Sequence, residues 1–398
     1  MKTGYPHIKI KRGIGPKSVL AVLFLLLLSS CTKEEDISQG TPDGNGHCEA
    51  TIRLDVGSFG LNGRAGTRAS VGSTADENRI DNIWVFQYNV ETGQLMGIPK
   101  YIDDDNFDSN GIVTDLTNNE NGQHSVVCIV ANIGKGGAYE DTDSGESADT
   151  DGSAGTGGDS PVTTKETWAL DENGITKNVF QTYQEFLSQA IPASATRPFI
   201  SSNMGESGGK VIPMFGKSKQ MVIAPKCYVS VPLVRMFAKV KVYVDPSNLV
   251  EHEMSIQSIT FHNIPSYCRV NSLVNDDNYH PNDPAAYPDD TEWKDYTDQT
   301  DADEVTLYLP ENLQGIVAGM SGKEETDDNK IPEHALRVDL TVSYGKDGEN
   351  KTDSETDSDL KTHTYKVYPG FDMDNDFNIM RNYIYNVRIK ITKLPEES

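Results

Sequence analysis

The residue with the clearest chemistry is Cys31. It follows Ser29-Ser30, at the end of an unbroken apolar run from Val19 to Leu28. Lys2, Lys9, Lys11, Arg12 and Lys17 precede that run. A basic segment, a short apolar segment and small residues before a cysteine form the pattern of a lipoprotein leader. The run is too short to span a bilayer, which takes about 20 apolar residues. The spacing predicts cleavage before Cys31 and diacylation of its thiol. Each acyl CH₂ buried in lipid stabilises the anchor by about 0.8 kcal/mol, so two chains hold firmly. Everything downstream is then extracytoplasmic.

Other chemistry is weaker. Residues 205–209, Gly-Glu-Ser-Gly-Gly, match G-x-S-x-G. That nucleophile elbow needs a strand before it and a helix after, and Lys210-Val211-Ile212-Pro213 is no helix start. None of the eight histidines stands where it suggests a base for Ser207. His252-Glu253 lacks the second histidine of H-E-x-x-H. Asp372-Met373-Asp374-Asn375-Asp376 has the alternation of a calcium loop, without the glycine and the closing glutamate of an EF-hand. It reads as a solvated acidic loop, like 103–105 and 141–151. No phosphate-cradling glycine loop is present. The expectation is no enzyme, no catalytic residue, no metal and no cofactor.

Composition narrows the partners. The 398 residues carry a formal net charge of −25. It becomes more negative by five when the leader leaves, because the leader is basic and contains no acid. That argues against nucleic acid and anionic lipid. The mature chain is long enough for two ordinary domains. Cys48, Cys128, Cys227 and Cys268 contain no C-x-x-C pair, which argues against a zinc ribbon or thioredoxin-type site. They allow three disulfide pairings, and the pattern does not choose between one disulfide and buried thiols.

The elements are mostly strands. After the leader (1–30), residues 31–49 form a lipidated tether, polar and acidic over 32–46. Its Lys33-Glu34-Glu35-Asp36 run resembles the acidic signal that sends some lipoproteins to the outer face of the outer membrane. Residues 50–56 alternate, with Ile52, Leu54 and Val56 on one face, and predict a half-buried strand. Residues 57–78 lose periodicity and carry Arg64 and Arg68 in an exposed loop, the kind of place where proteases cut. Residues 80–90 are apolar on both faces, as in a central strand, and turn through 91–94 into a strand around 95–102. A strand follows at 124–132, then a Gly/Ser/Asp-rich excursion over 134–165. Val179, Phe180, Tyr183, Phe186 and Leu187 predict one helix over 177–190. Residues 228–244 alternate over a long span, and further strands are expected at 255–263, 304–309, 336–344, 363–368 and 383–393. Many short strands with turn-rich joins and little helix predict a mainly β fold of sandwiches. An N-terminal domain spans 50–218 and a C-terminal domain 227–398.

Six stretches, in order, resemble the fimbrillins, or type V pilins: Ile80–Tyr88 (IDNIWVFQY), Val126–Asn132 (VVCIVAN), Ile212–Gly216 (IPMFG), Leu233–Val242 (LVRMFAKVKV), Leu307–Asn312 (LYLPEN) and Arg381–Ile391 (RNYIYNVRIKI). The resemblance covers most of the mature chain. It implies two transthyretin-like, Greek-key β-sandwich domains with one or two short helices. It also implies a surface lipoprotein precursor whose first strand is removed by an arginine-specific protease, after which the vacated groove accepts a strand from another fimbrial subunit. Mapped onto this chain, cleavage falls after Arg68, with Arg64 second. Arg53 lies inside a strand, and Arg79 abuts the next one. The uncovered groove is then the one filled by Ile52, Leu54 and Val56. Stalk subunits of the family carry a donor tail beyond the Arg-Asn-x-x-Tyr strand. Here the chain stops shortly after Ile391, which suggests a tip or accessory subunit, with a host or bacterial surface ligand for its adhesion. Two alternatives are a basal anchor that keeps its lipid, and a surface glycan-binding lipoprotein presenting Trp168, Trp293, Tyr296 and Tyr287.

Overall fold

The computed structural model describes residues 46–61, 74–103, 107, 111–119, 122–134, 180–191, 197–204, 210–251, 254–275, 279–298, 303–320, 322–323, 330–344, 361–372 and 374–391. The fold is mainly β. Strands are numbered here in chain order. The first sheet runs β4 (Lys100–Asp103), β3 (Asn82–Asn89), β6 (Ser125–Ala131), β8 (Met214–Lys217), β9 (Cys227–Arg235), β1 (His47–Val56), β5 (Ile112–Thr117). The second runs β2 (Gly60–Leu61), β18 (Tyr383–Ile389), β10 (Phe237–Val244), β13 (Glu304–Pro310), β7 (Phe199–Ile200). The third runs β12 (Trp293–Asp298), β11 (Ser255–Pro265), β15 (Arg337–Tyr344), β16 (Lys361–Val367). A fourth, two-stranded antiparallel sheet pairs β14 (Asn312–Ile316) with β17 (Asp376–Ile379). The short helices are α1 (Tyr183–Ser188) and α2 (Pro246–Glu251).

Strand β3 shows why sequence alternation becomes layers. Successive side chains point to opposite faces, and both faces of β3 are buried. Ile83 and Val85 join one core with Val127, Ile129, Ala50, Ile52, Val229 and Val231. That core takes residues from both ends of the first sheet, so the sheet curls over on itself. Gln87 closes the curl at β5. Its Nε2 donates to the Thr117 carbonyl at 2.8 Å, and its Oε1 accepts from the Thr117 N–H at 2.8 Å. Trp84, Phe86 and Tyr88 face the other way, into an aromatic core with Phe180 and Phe186 of the α1 region. The second and third sheets pack face to face around Val240, Val242, Ile259, Phe261, Leu307 and Leu340.

Two expectations need correction. The alternating run 228–244 is two strands in two different sheets, broken at Met236. The buried phase changes there, from Val229, Val231 and Leu233 in β9 to Ala238, Val240 and Val242 in β10. Strand β9 therefore belongs to the first sheet, and the chain crosses between sheets at Met236. Within the described part of the helix expected over 177–190, the helical residues are Tyr183–Ser188. Thr182 caps it, accepting from Glu185 N–H while the Glu185 carboxylate accepts from Thr182 N–H, and Gln189 is already extended. A capping box fixes where a helix begins. Cys128, Cys227 and Cys268 are free thiols. Burial pushes Cys128 well above the ordinary thiol range and Cys268 to about 12.

Candidate functional site

The site is the slot occupied by β1. The strand begins at His47, three residues earlier than its alternation suggested, because Cys48 continues the buried face of Ala50 and Ile52. It lies between two strands from later in the chain. It pairs parallel with β9 from Ala50↔Cys227 to Val56↔Leu233, and antiparallel with β5 from His47↔Thr117 to Ile52↔Ile112. Of the three expected groove residues, Ile52 is fully buried, at 0% exposure. Leu54 and Val56 are half-buried against the same core. On the outer side the Arg53 guanidinium lies 4.9 Å from the Tyr228 ring centre.

Both walls of the slot have supports of their own. Strand β9 is also paired with β8. Strand β5 is held by Gln87 and by Asn119, whose Oδ1 accepts from Ile223 N–H at 2.6 Å and whose Nδ2 donates to Ser125 Oγ at 2.9 Å. The β5 wall escaped the sequence reading, although Ile112, Thr114 and Leu116 alternate with exposed Val113 and Asp115.

Below β1 the chain is gripped at the join of the sheets. Arg235 is fully buried at the end of β9. It donates to the Gly57 carbonyl at 2.7 Å, to the Glu77 carbonyl at 2.9 Å and to Asn78 Oδ1, and it stacks 4.3 Å from the Phe59 ring centre. Phe59 is buried in the aromatic core, and Gly60–Leu61 pair with Tyr383–Ile384. A Cβ at Gly60 would press to 2.8 Å from the Tyr383 ring, so the close pairing needs glycine. On the far side of residues 62–73, Glu77 is equally buried. It accepts from Lys239 Nζ and Tyr308 hydroxyl, each at 2.5 Å. Burial raises the Glu77 pKa, but these donors outweigh it, and the net shift is downward.

The motif stretches thus meet at the join. Arg235 and Lys239 come from one, Tyr308 and Glu311 from another, and Arg381 from a third. Arg381 and Glu311 form a buried ion pair at 2.7 Å. Asn132 sits in the left-handed region at φ 65° and ties Asp81 N–H, the Arg79 carbonyl and the Ile212 carbonyl together. These buried charges were hidden in the sequence inside runs read only for their apolar alternation.

Cys31, Arg64, Arg68, Trp168, the Gly205–Gly209 stretch and His252-Glu253 lie outside the described residues. The acidic loop at Asp372 is closed by protein groups. Asp372 Oδ1 accepts from the N–H groups of Asp374, Asn375 and Asp376 at 2.9–3.0 Å, and Lys323 Nζ donates to the carbonyls of Asp372 and Asp376. An ammonium therefore fills the centre of the loop. Among the described residues no cluster of acidic, histidine and cysteine side chains has metal-holding geometry.

A family model described as a domain of unknown function, DUF4906, matches residues 307–389. No curated protein matches the chain. Among solved structures, similar ones include the tip fimbrial protein Mfa3 of Porphyromonas gingivalis with a C-terminal truncation, at 12% identity and TM-score 0.43, covering 88% of this chain and 96% of that one. A fimbrial assembly protein of Parabacteroides distasonis shows 13% identity and TM-score 0.36, covering 86% and 90%. The fimbrial anchor protein Mfa2 of Porphyromonas gingivalis shows 10% identity and TM-score 0.31, covering 75% and 78%.

Proposed function

We propose that the chain is a structural subunit of cell-surface fimbriae, exported as a lipoprotein on Cys31, cut after Arg68 or Arg64, and assembled by donor-strand exchange in the slot of β1. The observation that carries this reading is the placement of β1. An N-terminal strand inserted between two later strands, with both neighbours anchored elsewhere, is a replaceable part. Removing it would strip Ile52 and its neighbours from their core, at about 1.5–3 kcal/mol for each fully buried aliphatic side chain. It would also leave rows of unpaired backbone groups on β9 and β5. A strand with the same alternation relieves both costs by strand addition.

Within the fimbrium we assign a tip or accessory position. Strand β18 is hydrogen-bonded between β10 and β2, and Val387 and Ile389 are buried in the core between the second and third sheets. The last described strand is committed to its own sheet and is no free donor.

The basal-anchor reading has two observations in its favour. The grip of Arg235 on Gly57, and the burial of Phe59, resist loss of the N-terminal segment. The glycan-binder reading has less support in the aromatics first named for it. Tyr287 is half-buried, with its hydroxyl donating to the Glu311 carbonyl and accepting from Leu313 N–H. Trp293 stacks on His334 at 4.2 Å, and Tyr296 packs against the core between the second and third sheets.

Mass spectrometry of the protein recovered from the cell surface in its assembled form tests the proposal. The expected N-terminus is Ala69 or Ala65. An N-terminus at acylated Cys31 would overturn the processing step and favour the anchor.

A further inference from the structure

A second site lies away from the β1 slot. Helix α1 stands over the outer face of β8 and β9, and the segment 269–275 closes the far side. Between them is a cavity of about 870 Å³, within the size range of small-molecule sites.

Its walls are built before any ligand arrives. Arg381 holds the segment 269–275 by donating to the carbonyls of Arg269 and Val270 at 2.9 and 3.0 Å. Its partner Glu311 accepts from Leu273 N–H at 2.9 Å and from Ser272 Oγ at 2.8 Å. The same segment is tied to the end of α1, with Val270 N–H donating to the Gln189 carbonyl and Asn271 N–H to the Leu187 carbonyl.

The lining has a particular chemistry. Tyr183 and Phe215 present aromatic rings, Asn271 and Asn275 present amides, and Lys217 and Arg269 present cations. Lys217 Nζ lies 5.8 Å from the Tyr183 ring centre and 3.2 Å from its hydroxyl. In a chain of net charge −25, no carboxylate stands among the described residues that line this cavity. Asp276 and Asp277, next along the chain, lie outside the described residues. Aromatic faces suit the C–H faces of sugar rings, amides suit hydroxyls, and cations suit carboxylates.

We propose that this cavity binds a carboxylate-bearing oligosaccharide, a chain of uronic acid units, with Lys217 taking an acid group and Tyr183 a ring face. The site is independent of strand exchange and stands on its own whether or not β1 is removed.

Titration calorimetry of the full chain in mild detergent tests it, with tetra-galacturonate as the probe. Its fully methyl-esterified form serves as the uncharged control, and a poly-glutamate peptide as the non-sugar control. The expected result is saturable binding of tetra-galacturonate, at least tenfold weaker binding of the ester, and little binding of the peptide. Exposed Lys217 changed to Glu should weaken tetra-galacturonate binding at least tenfold, about 1.4 kcal/mol, with the melting temperature unchanged. No binding at millimolar sugar overturns the proposal. Equal binding of acid and ester, equal binding of the peptide, or indifference to Lys217→Glu overturns it as well.

Discussion

Arg235 shows how much one residue can decide. It sits in a run that reads as plain strand, yet its guanidinium is fully buried and joins Gly57, Glu77 and Asn78. Arg235→Met leaves those acceptors in the interior without a donor. Breaking such a buried charged network costs about 3–5 kcal/mol, so the urea midpoint should fall sharply, and a fragment cut at Arg64 or Arg68 should dissociate faster than from the unaltered chain. Glu77 adds a pH dependence. Its folded pKa lies below the ordinary 4.5. Its contribution is therefore complete above that value and is lost as pH falls through the lower folded value. Thermal melts of the protein and of Glu77→Gln should diverge at neutral pH and converge in acid. A constant gap between them would contradict the assignment. Neither residue was legible in advance, because Arg235 and Glu77 stand 158 positions apart and leave no mark on a local pattern.

At the scale of elements, alternation, or a run apolar on both faces, was a reliable guide to strands. Strands β1, β3, β6, β11, β13, β15 and β18 fall on stretches read as strands. It failed where phase changes without a turn, as at Met236, and where a strand is short, as in β5. Strand β1 carries the sharpest expectation. Ile52→Asp places a carboxylate in a closed apolar core, where an unpaired charge is very costly. Stability should drop by at least about 3 kcal/mol, and β1 should be the first element to exchange its amide hydrogens. Helix α1 depends on its cap instead. Thr182→Ala removes the bond to Glu185 N–H and should cost about 1 kcal/mol, read as a lower melting temperature with the slot intact.

For the whole molecule, the order of strands matters more than their list. The first sheet recruits β8 and β9 from the middle of the chain to stand beside β1 and β6. A parallel pairing of residues 50–56 with 227–233 joins segments 177 positions apart, and no spacing in the sequence announces it. The fold class was legible, since many short alternating strands have few other ways to hide their apolar faces. The groove was half legible: the strand that fills it, through Ile52, Leu54 and Val56, but not the walls that remain when it leaves. Those walls turn a removable strand into a usable slot. The most direct measurement is native mass spectrometry of the protein after arginine-specific cleavage, incubated with an isotope-labelled peptide of residues 47–56. The expected result is one cut after Arg64 or Arg68, followed by one-for-one replacement of the N-terminal fragment by the peptide, and no uptake of the same peptide carrying Ile52→Asp. A cut chain that keeps its fragment indefinitely, or unfolds without taking the peptide, would contradict the strand-exchange account.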